Sequence, residues 1–473
     1  MEQTVHRWKA FAFYDYAGVE NYLETMAGQG FQLDKRHWGL WKFKRTEPEC
    51  RQYEVVYTRR ENMRPSERII KEERIAENQW QRVTVWKDAY IYTSALESPC
   101  SIATSEMARL ETLHRNVGST VQVSGILLAI LATVMLAFRV RDVMHNPVNL
   151  LSSNMELSML WLWLMLVILS LLQVCEYRRW KKQMTGLVQS GGACMPASDV
   201  YRRLFWAQQI VVWGTVFVML AAFWLDGGAR AIVLFGMMFL VLSAGFGITD
   251  LVMKKCGASI SAVRIGRGIV AGALVFSMFY WVGYVDELLF PKDDDAELVT
   301  VGDILYPVYD DAMLMTLEEL GEVTDGALYT REVNEKETFL LRRTLAQQAV
   351  VPYFSEGVSE FSYEMVDVKA GFLYNACLES CKNRLSRHTA HGFLFNSDFQ
   401  SFFDEGNYSP EYNSMEISDI ESGVTVYKLF RTERDSANGY LFLWPGRIVS
   451  VCMTEKADVH QLKKMAEAFS VVK

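Results

Sequence analysis

The chain has 473 residues, half of them hydrophobic, with 56 Asp and Glu against 48 Lys and Arg. That length exceeds one domain, and no Lys/Arg run is interleaved with stacking aromatics, which excludes a nucleic-acid-binding surface. Eight cysteines, at 50, 100, 175, 194, 256, 377, 381 and 452, lack the spacing of a disulfide framework. The charge is split: residues 1–285 carry 31 basic and 23 acidic side chains, and residues 286–473 carry 17 and 33. Such asymmetry implies two different environments. The N-terminus from Met1 to Trp8 has no apolar h-region, so targeting is expected to fall to the first membrane span.

Residues 1–100 read as a small α+β domain with an internal duplication. A strand is predicted over 8–14. A helix follows over 17–29, with Val19, Tyr22, Leu23 and Met26 on one face and Gly30 ending it. Strands are expected at 31–36, 40–45 and 52–58, then a helix over 67–78 capped by Ser66, then strands at 81–86 and 89–93. Phe31 and Phe43 are twelve apart, as are Trp80 and Tyr92. The spacing suggests two βαββ units with both helices on one side of a sheet. Residues 101–117 read as a connecting helix, with Arg109, His114 and Arg115 toward its membrane end.

The run Tyr14-Asp15-Tyr16, then Glu20, Leu23, Met26-Ala27, Gly30-Phe31 and Leu33, then Trp41, Phe43, Tyr53, Val55 and Tyr57, resembles the domain-of-unknown-function family 2812. The resemblance covers about the first 95 residues. It implies a bacterial membrane-anchored protein of unknown activity. Family members often stand beside PadR-type regulators, which implies an inducible envelope response. The family has no established catalytic residues to carry over.

Residues 118–285 hold five apolar runs, at 118–138, 155–175, 207–225, 230–252 and 267–285. Each approaches the ~20 helical residues that cross a bilayer core. Lys/Arg counts set their direction. Arg178, Arg179, Lys181, Lys182, Arg202 and Arg203 lie between the second and third runs, and Lys254, Lys255 and Arg264 follow the fourth. The opposite connections hold fewer: Arg139 and Arg141, Arg230, and Lys292 among acids. The expectation is a cytoplasmic N-terminus, five transmembrane helices and an extracytoplasmic C-terminus. Arg178–Lys182 could also meet anionic headgroups. Gln122, Gln173, Asp226 and Asp250 lie toward span ends and no span centre is ionisable, which argues against an ion-coupled transporter. Gly268 and Gly272, and Ser243 and Gly247, are candidate helix-packing positions within or between chains. Trp161, Trp163, Tyr280, Trp281 and Tyr284 suit interfacial belts.

Residues 286–300, with the triplet Asp293–Asp295, read as an acidic linker. Residues 301–473 read as a second α+β domain built on an antiparallel sheet. Helices are expected near 310–320, 367–388 and 457–470, and strands near 327–333, 338–344, 361–367, 424–431, 439–444 and 447–453. Trp444-Pro445-Gly446-Arg447 is a turn signal. Leu462, Met465, Ala466 and Phe469 form an apolar stripe for packing on that hairpin. This ending is also similar to that of longer members of the same family.

Cys377 and Cys381 precede His388 and His391 closely enough to suggest Zn²⁺, but their spacing is too short for a usual finger and the cysteines share a face with core leucines. No metal or cofactor is assigned. Cys452 with Cys377 or Cys381 is a disulfide candidate outside the cell. Asp310-Asp311 and Arg342-Arg343 suit solvated faces. No nucleophile motif or metalloprotease motif is present. The resulting expectation is a non-enzymatic membrane sensor whose partners are the lipid bilayer and a protein, with homo-oligomers open. The alternative is an accessory subunit of a transport or efflux complex.

Overall fold

The computed structural model describes residues 4–37, 40–57, 72–86, 89–103, 105–197, 199–255, 297–302, 304–323, 325–351, 359–391, 413–417, 423–430 and 438–470. The chain divides into two compact units, one of residues 1–137 and 161–217, the other of 138–160 and 218–473. Helices and sheets are mixed in an α+β arrangement, with a β-rich N-terminal region.

In the first unit, strand β1 (Thr4–Trp8) precedes helix α1 (Tyr16–Gly28), then β2 (Phe31–His37), β3 (Leu40–Arg45) and β4 (Gln52–Val56). A helical stretch α2 at 72–77 leads to β5 (Gln81–Trp86) and β6 (Ala89–Ser94). Two three-stranded antiparallel sheets result, ordered β1-β3-β2 and β4-β6-β5. β2 and β5 lie side by side, with the Arg36 N–H donating to Thr84 Oγ1 at 3.4 Å. The predicted strand at 8–14 is corrected: the strand ends at Trp8, and Phe11, Phe13 and Tyr14 are core residues of an irregular segment. Their alternation reflects burial of aromatics, not a pleat.

Helix α1 starts where the Asp15 side chain accepts from Gly18 N at 3.1 Å. Its buried Val19, Leu23 and Met26 recur at helical spacing. Gly30, at φ 83°, turns the chain out, and a Cβ there would meet the Thr46 carbonyl at 2.8 Å. The α1 stripe packs on Leu33, Trp41 and Phe43 and on Val55 and Ile91. Ile75 of α2 instead packs with Val56, Tyr90 and Tyr92. Alternate strand residues face opposite ways, so the two helices cover opposite faces of β4–β6. This corrects the expectation of both helices on one side. The Val55–Ile91 face is already filled by α1.

Three helices among the described residues are long and apolar enough to cross a membrane: Glu106–His145, Asn154–Gln189 and Arg203–Gly228. The first begins as α3 (Glu106–Leu113) and passes through a π-helical turn, His114–Gly118, into α4 (Ser119–His145). A short helix α5 (Pro147–Leu151) connects it to α6 (Asn154–Gln189). Helix α7 (Asp199–Lys255) is interrupted at Gly228, whose φ of 56° and ψ of −146° are not helical. The fourth predicted run continues α7 past that break and is not among the three long apolar helices. The fifth run, with Gly268, Gly272, Tyr280, Trp281 and Tyr284, and the acidic triplet lie outside the described residues.

Helix α6 also differs from expectation. Its 36 residues rise about 54 Å at ~1.5 Å each, well beyond a ~30 Å hydrocarbon core. Arg178, Arg179, Lys181 and Lys182 are therefore on a helix rather than in a loop. Arg178, Arg179 and Lys182 are exposed, while Tyr177, Trp180 and Met184 on the other side are buried in the first unit's core.

The second unit opens its C-terminal part with a hairpin, β7 (Glu297–Val301) and β8 (Ile304–Val308), where linker and loop were expected. A four-residue helix α8 (Leu317–Leu320) replaces the longer helix predicted at 310–320. Then come β9 (Leu328–Glu337), β10 (Leu341–Val351), β11 (Phe361–Val368), α9 (Tyr374–His391), β12 (Asn413–Ile417), β13 (Thr425–Phe430), β14 (Asn438–Trp444), β15 (Arg447–Met453) and α10 (Val459–Ser470). The seven strands form one antiparallel sheet in the order β12-β13-β14-β15-β11-β10-β9. One face, with Phe361, Tyr363, Phe442, Val449 and Val451, is covered by Leu317 and Leu320 of α8 and by Leu462, Met465, Ala466 and Phe469 of α10. The other, with Val366, Val368, Leu441 and Ile448, is covered by α9 and by Val148 and Leu151 of α5.

Candidate functional site

Two polar clusters stand out, one in each unit, and each fixes part of the α4–α6 hairpin. The first grows from Tyr14-Asp15-Tyr16. Asp15 Oδ1, besides capping α1, accepts from Ala197 N at 2.8 Å. A Cβ at Gly18 would lie 2.4 Å from the Asp15 carboxylate, so only glycine leaves that cap intact. The Tyr14 hydroxyl donates to Glu176 of α6, whose second oxygen accepts from Gln208 Nε2 of α7 at 3.0 Å. The Tyr14 ring lies 4.7 Å from that of Trp180. Burial, with Glu176 beside it, raises the Tyr14 phenol well above its ordinary range. Tyr14 is therefore a donor and not a nucleophile.

Tyr16 lies under the Arg109 guanidinium, 4.1 Å from ring centre to Cζ. Arg109 forms a buried ion pair with Glu20 and donates to the Val55 carbonyl at 3.1 Å. Glu20 also accepts from Val55 N at 2.6 Å. Burial pushes the Glu20 carboxyl up to about 7, against the opposing pull of Arg109 and the Val55 N–H. Further along, Asn116 Nδ2 donates to the Tyr57 carbonyl at 2.9 Å, and His114 Nδ1 lies 3.2 Å from the Tyr177 hydroxyl. A Cβ at Gly118 would fall 1.8 Å from that hydroxyl. At Gly125 it would stand 2.8 Å from Val174 Cγ2, and Ala129 and Ala132 are buried on the same helix. Small residues here let α4 and α6 approach closely.

The second cluster surrounds the α4–α6 connection. Asp226 of α7 accepts from Ser153 Oγ at 2.7 Å, from Asn154 N at 3.1 Å, from Asn154 Nδ2 at 2.8 Å and from Met155 N at 2.7 Å. It caps the start of α6, where free N–H groups and the helix dipole favour an anion. Asn146 Oδ1 accepts from Ser380 Oγ at 3.1 Å, and Asn149 Oδ1 from Arg384 at 2.8 Å. The Leu151 carbonyl accepts from Thr338 Oγ1 at 2.7 Å, and Asn154 Nδ2 donates to the Glu337 carbonyl at 2.9 Å. Arg384 and Arg343 both pair with Glu364, at 3.0 Å and 2.6 Å. The connection is thus held as part of the sheet domain, and its Val148 is wholly buried there.

Cys377, Cys381 and Cys452 are brought into one buried apolar cluster, each a free thiol. Burial pushes them up to about 11, 12 and 12 respectively, so they stay protonated and unreactive. His388 and His391 end α9, with side chains outside the described residues, and no group of three metal-ligating side chains occurs among the described residues. Ser243 and Gly247 are exposed, with nothing within 4 Å of a Cβ built on Gly247. Arg178, Arg179 and Lys182 are exposed on α6, and Lys181, one turn after Tyr177, is half-buried near His114. Sequence reasoning missed Glu176, Asn116, Gly118 and Gly125. Gly118 and Gly125 at the start of the first span, and a polar Glu176 closing the second, were the available signals. Comparison with family profiles, with curated proteins and with solved structures finds no match to this chain.

Proposed function

We propose that the chain is a non-enzymatic, multi-pass membrane transducer, in which the α4–α6 hairpin couples a cytoplasmic N-terminal domain to an extracytoplasmic C-terminal domain. One observation carries this reading. The first unit holds the hairpin through residues 109–118 and 176–184, and the second holds it through 146–154. A signal that repacks α9 over β13–β15 would move Val148 and Leu151, and the helices attached to them. The Lys/Arg distribution supports the N-in orientation, and the three long apolar helices support membrane insertion. The repeated first-third-second strand order supports a duplicated βαββ origin for the N-terminal domain, although its helices sit on opposite faces. The resemblance to family 2812 rests on Tyr14, Asp15, Tyr16 and Glu20, residues that here fasten the domain to helices. In-cell crosslinking from the exposed face of β1–β3 is expected to trap one specific cytosolic protein. Co-purification with a transporter and no cytosolic adduct would instead favour an accessory-subunit role.

A further inference from the structure

Phe372, Met144 and Phe339 are the most exposed large apolar side chains among the described residues, at 83, 77 and 76 %. All three belong to the second unit and border the α4–α6 connection. Met144 lies in the last turn of α4, two residues before Asn146, which is bonded to Ser380. Phe339 is the turn residue between β9 and β10, next to Thr338, which donates to Leu151. Phe372 is held beside the same turn because Lys369 N and Ala370 N both donate to the Leu340 carbonyl, at 2.9 and 3.2 Å. The Lys369 ammonium adds a bond to the Thr338 carbonyl at 2.8 Å.

The polar boundary of the hairpin is close to this end of the sheet. Arg139 of α4 and Glu156 of α6 pair at 2.9 Å. Asn154, which bonds the Glu337 carbonyl, precedes Glu156 by about 3 Å of helix rise. The turn bearing Phe339 is thus tied to the helix within about one turn of that boundary. Exposed apolar groups gathered at one place mark an interaction surface. Here the occupant is fixed by the helix ends themselves, which must emerge into headgroups.

We infer that Phe339 and Phe372, with Met144, insert into the interfacial layer of the bilayer that α4 and α6 cross, making this end of the sheet domain a lipid-docking surface. The inference rests on the membrane-spanning reading of those helices. Aromatic side chains suit that layer, and seating them would hold the β9–β10 turn against the α5 connection. The domain would then report on headgroup packing as well as on any ligand.

The test uses the full chain in phosphatidylethanolamine–phosphatidylglycerol vesicles, with Phe→p-benzoylphenylalanine at 339 or 372 and mass detection of adducts. Phe217, exposed on the third apolar helix, and Val459, at the opposite strand ends of the sheet, serve as references when substituted in the same way. Lipid adducts at 339, 372 and 217 but not at 459 are expected. Adducts at 217 alone, or adducts at 339 and 372 to a second protein copy, overturn the lipid-docking inference and leave the membrane reading standing. Absence of lipid adducts at 217 as well contradicts the membrane reading itself, and the inference falls with it.

Discussion

The two units hold the same hairpin by different chemistry. The first uses the buried Glu20–Arg109 ion pair, the Tyr14 and Tyr177 hydroxyls, and two glycines that make room, Gly18 for the Asp15 carboxylate and Gly118 for the Tyr177 ring. The second uses a short helix sunk into an apolar sheet face, with the Thr338 and Ser380 hydroxyls, Arg384 and the Asp226 carboxylate hydrogen-bonded around it. A buried ion pair is fragile to loss of one partner, because the other charge is stranded. An apolar plug fails more gradually, through cavities. The first unit's hold is therefore expected to fail sharply on loss of Arg109 or Glu20, and the second's to weaken in steps as the α5 side chains are cut back.

The sharpest way to break that contrast is Arg109→Met. Above pH 7, where Glu20 is ionised, it leaves that carboxylate buried without its cation and is expected to cost about 3–5 kcal/mol, seen as loss of the first unit's thermal transition in detergent. Arg109→Met combined with Glu20→Gln should recover part of that loss. If the double variant is no better than the single, the pair is not the grip. Next comes Leu151→Ala, with an expected cost of about 2–5 kcal/mol, read first as lost proteolytic resistance of the sheet domain. Asp226→Asn removes the anion from the α6 start and should cost about 0.3–2 kcal/mol, read as faster amide exchange at 153–158.

The pH response sharpens the comparison further. The Glu20 carboxyl stands near 7 in the folded unit against an ordinary value of 4.5. Between those values the folded unit binds more protons than the unfolded chain. This contribution is complete below about 4.5 and is lost as pH rises through 7. Stability of the first unit should fall over that window, and Glu20→Gln should flatten the profile. The smallest expected effect is that of reductant. With Cys377, Cys381 and Cys452 as buried thiols, dithiothreitol should leave the sheet domain's melting unchanged, while a clear drop would reveal a disulfide.

What could be read in the sequence was whatever is local. The α1 stripe and Gly30, the Trp444–Arg447 turn and the Leu462–Phe469 stripe fall where the pattern placed them, because caps, turns and periodicity act over a few residues. β9 ran longer than expected because its last residues, Asn334 to Glu337, are polar and exposed, and β10 extends through buried Ala346 to Val351, where Gln347 and Gln348 break the apolar pattern. What escaped was set by tertiary contact. Pro147–Leu151 looks like a loop until Leu341 and Val366 cover it. Asp226 looks like an ordinary span end until four donors from Ser153, Asn154 and Met155 meet it. The extension of α6 past its apolar run depends on Tyr177 and Trp180 finding Phe13 and Tyr14. The candidate sites were legible only as the Tyr14–Glu20 motif, without its partners on the helices.

Hydrogen exchange on the full chain in lipid nanodiscs tests the central claim most directly, comparing the natural protein with Leu151→Ala. Coupling through the α4–α6 hairpin requires faster exchange not only at 341–368 but also at 109–118 and 177–184. Faster exchange restricted to the sheet domain would contradict the account.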